Sequence, residues 1–493
     1  MAPLRSAVWQ VLGAACLSAL AGAPTPAAAQ SLLQLYQTAH GYDAPYQSAL
    51  ANAQASQARA DQARAGLLPQ VGLQLGAQRN WADTQVGGVG GSVSFNTLNG
   101  SIVGSQPLYR PANRIGWGQG KKSAELALVQ LSGTEQDLIV RLAQAYFDVL
   151  AAEDALGFVR ALKAAVAEQL ASAQRNFDVG NATITDSREA QARFDLATAQ
   201  EIAADNDLRI KRLALDQLVG LSGVQPRPLA PPVALPRPQP EDVNAWVAQA
   251  EAQHPAVVQA RMAQELARLE TAKAKTGHLP TIDLQASVGQ NRYPDGNPAF
   301  AAAPGSRYRS TNAGVGVVLN WPLFAGFAVQ NRVRETLSLE DKAQADLDNA
   351  RRNVAQATRA AYFGVQSGHG QVAALEAAEQ SSLTALEANR LGYQVGVRIN
   401  IDVLNAQSQL YQTRRDLARA RYDVLVGLLR LKQASGTLTE DDLRPMEQLL
   451  AQQGPSATGA PPVKADQTAD RLPPRRAGAA SAPSAVSPPP DRR

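Results

Sequence analysis

The chain carries one pattern twice. Ala145–Leu150 reads AYFDVL and Ala361–Gln366 reads AYFGVQ, and FDVGNATITDSREAQ (Phe177–Gln191) returns as YQVGVRINIDVLNAQ (Tyr393–Gln407), so both pairs are offset by 216 residues. Pro107-Leu108-Tyr109 recurs as Pro322-Leu323-Phe324 at an offset of 215, and Leu67-Leu68-Pro69 as His278-Leu279-Pro280 at 211. A period this long excludes stacked short repeats, whose units run to about 20–50 residues. The 493 residues are therefore expected to build one continuous body from two related halves, not a string of independent domains.

Each half opens with strand-like alternation. Val71, Leu73, Leu75 and Ala77 alternate with Gly72, Gln74, Gly76 and Gln78, and Ile282, Leu284, Ala286 and Val288 alternate with Asp283, Gln285, Ser287 and Gly289. That period of two describes a sheet with one apolar and one polar face. Return strands are read at Ala313–Trp321 and, less cleanly, at Val93–Val103, with connections at Asp83–Gly91 and Asn291–Ser310 where Gly, Asn and Pro crowd. Four strands are too few to close a barrel alone, and in a soluble protein they would pack on a neighbouring core; because they carry few charges and sit in a chain expected to be exported, a membrane barrel shared between subunits is the expectation.

A long helical stretch follows each strand pair. No proline occurs from Ala112 to Gln225 or from Leu323 to Arg444, and Val179-Gly180 and Val395-Gly396 are the main breaks. Ala112–Val179 and Phe327–Gln394 are 68 residues each, roughly 100 Å of helix. Alanine with Gln, Arg, Leu and Glu suits solvated coiled coil, and aromatics at 5% are sparse for a globular core. The expected form is a rod of two helical hairpins that turn at the glycines. Gly116, Gly118, Gly120, Gly364, Gly368 and Gly370 each cost about 1 kcal/mol relative to alanine, so fraying or bending is expected there. Return helices are expected at Thr183–Leu221 and Asn400–Ser435, ending in Gly223 and Gly436. The expected organisation is a signal at 1–29, a first repeat at 30–225, a proline-rich link at 226–240, a second repeat at 241–451 and a disordered tail at 452–493.

The signal reading rests on Arg5, the apolar run Ala7–Ala21 and Ala27-Ala28-Ala29 before Gln30. That run ends in Pro24 and Pro26, short of the ~20 apolar residues a spanning helix needs. The single cysteine, Cys16, lies inside it, and Gly13-Ala14-Ala15-Cys16 lacks the leucine expected at Gly13 for lipoprotein processing. Disulfide and thiol chemistry are therefore excluded from the expected mature chain. No later segment reads as a membrane helix, so any span must be made of strands.

Catalysis finds no support. His40, His254, His278 and His369 are scattered without ligand spacing, no nucleophile elbow is present, and Gly116–Ser123 (GWGQGKKS) lacks both the spacing and the preceding parallel strand of a phosphate loop. No metal, cofactor or enzymatic activity is expected. The formal net charge of +4 is small and dispersed, so nucleic acid is not expected as a partner. Asp186 and Asp402 each lie six residues beyond a turn glycine. Either carboxylate is accounted for by the dipole of a helix start, or, with Thr185, Tyr393 and Arg398 nearby, by a polar cluster at the rod's tip.

Over most of its length the chain resembles the TolC family of outer-membrane channel proteins. The resemblance runs through Leu32–Tyr36, LLPQ at Leu67–Gln70, AYFDVL, VG-x-x-x-ITD ending at Asp186, GHLPT at Gly277–Thr281, GYQVGVRINIDVLNA at Gly392–Ala406, RYDVL at Arg421–Leu425 and ASGTL at Ala434–Leu438. It implies an α+β membrane protein, a homotrimer whose subunits each give four strands to a shared 12-stranded outer-membrane β-barrel, with the duplicated helical hairpins forming a trimeric periplasmic cylinder. It further implies contact with outer-membrane lipid, and work with a periplasmic adaptor (membrane fusion) protein and an inner-membrane ABC or proton-driven transporter.

By motif position the resemblance assigns a periplasmic gate to Thr185, Asp186, Tyr393 and Arg398. Where the family has two aspartates three residues apart at a pore constriction, this chain has Asp402 and Asn405. The expected function is export of proteins by type I secretion, since the lipoprotein signal common among dedicated efflux channels is not met. The alternatives are the outer-membrane component of a drug efflux pump and a soluble periplasmic coiled-coil scaffold, in which the amphipathic strands would have no place.

Overall fold

Proline placement and glycine turns divide the chain into its elements. A computed structural model describes residues 30–450 apart from 87–88, 181, 231–233 and 296–306, so the expected signal and tail lie outside the described residues. The order is α1 (Leu32–Tyr42), α2 (Ala44–Ala65), β1 (Gln70–Val86), β2 (Val89–Tyr109), α3 (Pro111–Asp178), α4 (Ile184–Val219), α5 (Val243–Gln253), α6 (Pro255–Lys275), β3 (Thr281–Tyr293), β4 (Tyr308–Asn320), α7 (Ala328–Gln394), α8 (Asn400–Ser435) and α9 (Leu443–Gln448). Prolines stand in the first turn of α2, α3 and α6, where a missing N–H costs nothing.

The four strands form one antiparallel sheet in the order β1-β2-β3-β4. Residues directly opposite share a face, and Leu73, Ile102, Val288 and Ala313 lie in one row across all four strands. Leu73, Leu75 and Val315 are 66%, 76% and 77% exposed, so the apolar face is uncovered in the single chain. The opposite face carries Gln74, Ser101, Gly289 and Asn312 in register. An open apolar sheet face is what a lipid-facing barrel wall presents, and it leaves β1 and β4 as edges that need partners.

The strands are longer than their alternation predicted. Gly91 pairs with Thr84 and Gly90 with Gln85, so most of Asp83–Gly91, expected to be a connection, is hairpin ladder. Asn291–Tyr293 and Tyr308–Ser310 likewise pair as strand. Backbone pairing carries these ends through residues whose side chains favour turns.

The helices α3 and α7 run for 68 and 67 residues. They pass without interruption through the six glycines at which fraying or bending was expected. Packing explains two of them. A Cβ at Gly120 would meet Ala60 Cα at 3.1 Å and one at Gly368 would meet Val424 Cγ2 at 2.8 Å, so these glycines admit neighbouring helices. Both rods turn at the expected residues, Gly180 and Gly396, with φ of +77° and +80° that only glycine adopts without strain. The return helix α4 ends three residues earlier than expected, at Gly220 (φ +76°), and Gly223 is a second left-handed residue in the following turn.

The main core lies around the middle of the rods. Leu138, Leu142, Phe147 and Leu150 of α3 pack with Leu425 and Leu429 of α8 and with Leu32, Leu35 and Tyr36 of α1. The repeated AYF motif acts here. The Tyr146 hydroxyl accepts from Arg227 N at 2.7 Å, and the Tyr362 hydroxyl donates to the carbonyl of Glu241. The two repeat-related tyrosines thereby anchor the proline-rich link near its two ends.

Candidate functional site

The turn residues decide what can gather at the rod's end. In the first hairpin Thr183 caps α4: its hydroxyl accepts from Asp186 N at 3.2 Å, while the Asp186 carboxylate accepts from Thr183 N at 3.0 Å and from its hydroxyl at 2.8 Å. This reciprocal capping box satisfies the first-turn amides and engages Asp186 locally. Thr185 is exposed. The second hairpin closes differently, with Val397 N and Arg398 N both donating to the carbonyl of Gly392, at 2.9 and 3.1 Å. No side chain caps α8, where Ile399 holds the cap position.

Tyr393, in the last turn of α7, accepts through its hydroxyl from Asn176 Nδ2 of α3 at 3.2 Å. The Arg398 guanidinium, 58% exposed, lies 3.6 Å from the Asp402 carboxylate one helical turn on. Asn405, three residues beyond Asp402, is exposed and accepts from Arg193 Nη2 of α4 at 2.8 Å. Within one chain the structure therefore does not bring Tyr393 or Arg398 onto Thr185 or Asp186. The hairpins are joined instead by Asn400, 1% exposed, which donates to the carbonyl of Asp186 at 3.4 Å and accepts from Gln169 of α3. A small apolar cluster of Val166, Ala173, Ala190 and Leu404, with Leu170 and Phe194 against it, holds α3, α4 and α8 together beneath these links.

Asn176, Arg193 and Asn400 were not singled out by the sequence. Asn176 directly precedes the recurring FDVG segment and Asn400 opens α8, so proximity to the repeat was their only signal. Around them the tip is apolar and open. Val179, Val395, Val397 and Ile399 are 60% exposed or more.

Two further polar links join the halves away from the tip. Arg110, at the start of α3, makes a two-pronged ion pair to Asp283 of β3, Nε to Oδ1 at 2.7 Å and Nη2 to Oδ2 at 2.6 Å. The Tyr422 hydroxyl of α8 donates to Asp154 Oδ2 of α3 at 2.7 Å. Burial, with a smaller push from Glu153, raises the Asp154 pKa above the usual carboxylate range against the opposing hydrogen bond, and burial also raises the Tyr422 phenol. Among the described residues no group of three or more His, Cys, Asp or Glu is placed to hold a metal ion, and no helix is long and apolar enough to cross a membrane.

Residues 35–221 and 246–437, one block in each repeat, match the model of the outer membrane efflux protein family. The chain belongs to this family. It is 32% identical over 437 residues to the outer membrane protein TolC of Escherichia coli (strain K12), spanning 88% of this chain and 87% of TolC. It is also 31% identical over 421 residues to the alkaline protease secretion protein AprF of Pseudomonas aeruginosa, spanning 84% of this chain and 86% of AprF. The fold is that of the outer membrane protein VceC of Vibrio cholerae, with a TM-score of 0.70 at 17% identity, covering 82% of this chain and 96% of VceC. Family membership places the chain in the outer membrane as a transport component and not an enzyme.

Proposed function

We propose that the chain is the outer-membrane channel of a type I protein-secretion system, acting as a homotrimer in which three four-stranded sheets close one 12-stranded barrel. The observation that carries this reading is the uncovered apolar sheet with two open edges, continuous with helices of roughly 100 Å. Such a sheet needs both lipid and further strands, and helices this long reach well beyond a bilayer of about 40–45 Å. Two relatives named for protease secretion, AprF and PrtF, support secretion as the cargo class. Drug efflux is the second reading, favoured by the description of the matching family as outer membrane efflux proteins.

In this reading the helices line a periplasmic duct and the channel does no chemistry. Its tip is held closed by a few polar links on each subunit. Thr185, Asp186, Tyr393 and Arg398 form the gate: Tyr393 ties α7 to α3 through Asn176, and the half-exposed Arg398, loosely paired with Asp402 at 3.6 Å, reaches across to a neighbouring subunit's first hairpin. Asp402 and Asn405 line the constriction behind it. The exposed Val179, Val395, Val397 and Ile399 receive a periplasmic adaptor, below which an inner-membrane ABC or proton-driven transporter supplies energy. Partner binding outcompetes weak links and shifts the population to the open state.

The test is conductance of the detergent-extracted protein in a planar bilayer, wild type against the double variant Tyr393→Phe/Arg398→Ser. Small channels that grow several-fold in the variant are expected. Equal conductance would remove the gate assignment, and absence of channels from folded protein would favour the scaffold reading. Loss of exported protein on gene deletion, with unchanged sensitivity to toxic compounds, is the result expected for secretion, and the reverse for efflux.

A further inference from the structure

The apolar face of the sheet changes character at the end far from the helices. The row of Leu73, Ile102, Val288 and Ala313 is followed by Leu75, Gly100, Gln290 and Thr311, and then by Ala77, Leu98, Arg292 and Arg309. Arg292 and Arg309 are thus direct cross-strand partners, two like charges facing each other, which costs stability. Arg79 stands one row further on β1, its guanidinium 5.7 Å from the centroid of the Trp81 ring, which is itself 74% exposed. Arg307, just ahead of β4, adds a fourth charge two residues from Arg309. All four arginines are exposed.

Among the described residues none of the four is held by a carboxylate. Arg292 Nε donates to the Gln290 side-chain oxygen at 2.8 Å, a neutral acceptor on its own strand. Asp83 lies four residues beyond Arg79, about 13 Å along the strand. Asp295 accepts from Asn96, from N at 3.3 Å and from Nδ2 at 2.6 Å. The opposite, polar face at this level is uncharged, with Gln78, Thr97, Asn291 and Ser310. Positive charge is therefore gathered on the apolar side of the sheet, with no carboxylate between the two opposed guanidiniums.

Height along the sheet tells what surrounds them. From Leu319 to Arg309 is ten residues of β4. At about 3.3 Å per residue and a tilt of about 40° this rises about 25 Å, the height of the apolar band of an outer-membrane barrel. The arginines lie at the rim of that band, at the level of lipid headgroups. It is the outer rim, because α3 and α7 leave the sheet from the other end.

We propose that Arg79, Arg292, Arg307 and Arg309 form a site on the outer wall for the phosphates of an anionic lipid in the outer leaflet, best filled by a headgroup with two phosphates such as lipid A. The inference rests on the lipid-facing wall of the proposed barrel. A phosphate between Arg292 and Arg309 turns their repulsion into a bridge, since guanidinium groups pair phosphate oxygens two at a time. Arg79 stands two strands across and one row up from Arg292, roughly 12 Å away, placed for a second phosphate. Trp81 supplies the aromatic ring that such a rim carries.

The test titrates lipid A onto detergent-purified protein, reading binding by native mass spectrometry and melting by circular dichroism. Wild type is compared with Arg292→Gln/Arg309→Gln and with Arg209→Gln/Arg419→Gln, which removes two charges 74% and 78% exposed on α4 and α8. Lipid A is expected to bind wild type and the helix variant alike, to raise both melting temperatures, and to bind the sheet variant about tenfold more weakly. Without lipid the sheet variant should melt no lower than wild type, because it has lost a repulsion, the opposite of what losing a structural contact does. Zwitterionic phosphatidylethanolamine should shift none of them. Equal binding of lipid A to the sheet variant and wild type, or an equal rise with phosphatidylethanolamine, would overturn the site. Inorganic phosphate reproducing the full rise would overturn its assignment to a lipid. Flotation with zwitterionic vesicles tests the wall separately: protein that floats yet shows no preference for lipid A refutes the site alone, and protein that does not float refutes the barrel reading.

Discussion

Replacing Tyr422 by phenylalanine removes one atom from the interface between the two repeats, and its effect should depend on pH in a defined direction. The Tyr422 ring is 6% exposed and stacks on Phe147 at 5.8 Å between centroids, so Tyr422→Phe keeps the packing and loses the donor to Asp154. A hydrogen bond to a charged group is worth about 1.5–3 kcal/mol. Losing it from the ionised carboxylate moves the Asp154 pKa further upward. A carboxyl whose folded pKa lies above its unfolded value binds its proton more tightly when folded. Stability is then greatest below the unfolded pKa and falls as pH rises through the folded one. The variant extends that falling window to higher pH. Its deficit should be about 1.5–3 kcal/mol near neutral pH and shrink as pH is lowered through the raised carboxylate range. Circular-dichroism melts of both proteins at several pH values between neutral and about 4 measure this. Asp154→Asn, which cannot ionise, should abolish the pH dependence of the difference. A deficit that stays constant with pH would refute the reasoning.

Arg110→Ala strands the nearly buried Asp283 carboxylate. Breaking a fully buried pair costs about 3–5 kcal/mol, and because the Arg110 side chain is 42% exposed the expected loss is about 1–3 kcal/mol, read as a lower melting temperature that Asp283→Ala partly restores. At the proposed constriction, Asn405→Asp should increase cation preference and block by multivalent cations in single-channel recordings. The new carboxylate would lie within reach of Arg193, whose Nη2 now stands 2.8 Å from Asn405 Oδ1, so adding Arg193→Gln should shift the reversal potential further towards cation selectivity. A double variant no more cation-selective than Asn405→Asp alone would show that Arg193 does not neutralise that position.

What the sequence made legible follows from periodicity, and what it hid follows from pairing. Val71, Leu73 and Leu75 announced a strand because alternation is a local signal, whereas β2 was read only as Val93–Val103 although it runs from Val89 to Tyr109. Glycine blurs that strand, yet Gly100 sits against Leu75 of the neighbouring strand, whose Cδ2 would lie 3.2 Å from a Cβ there. A residue that marks a loop in one dimension made room for a side chain in three. The tip divides in the same way. Tyr393 stood out as the repeat partner of Phe177, but Asn176, 217 residues away from its partner Tyr393, has nothing in its own neighbourhood to distinguish it.

The duplication carried more than either half alone. Tyr146 and Tyr362 recur because each fastens one end of the link between the halves, so their conserved place in the repeat encodes how the halves are joined. Asp186 and Asp402 recur at the same position, yet one completes a helix cap and the other faces Arg398. Packing constrains both repeats alike, since a misplaced core tyrosine costs a buried hydrogen bond wherever it lies. An exposed tip pair contributes at most about 1 kcal/mol to stability, which leaves such residues free to diverge towards different roles.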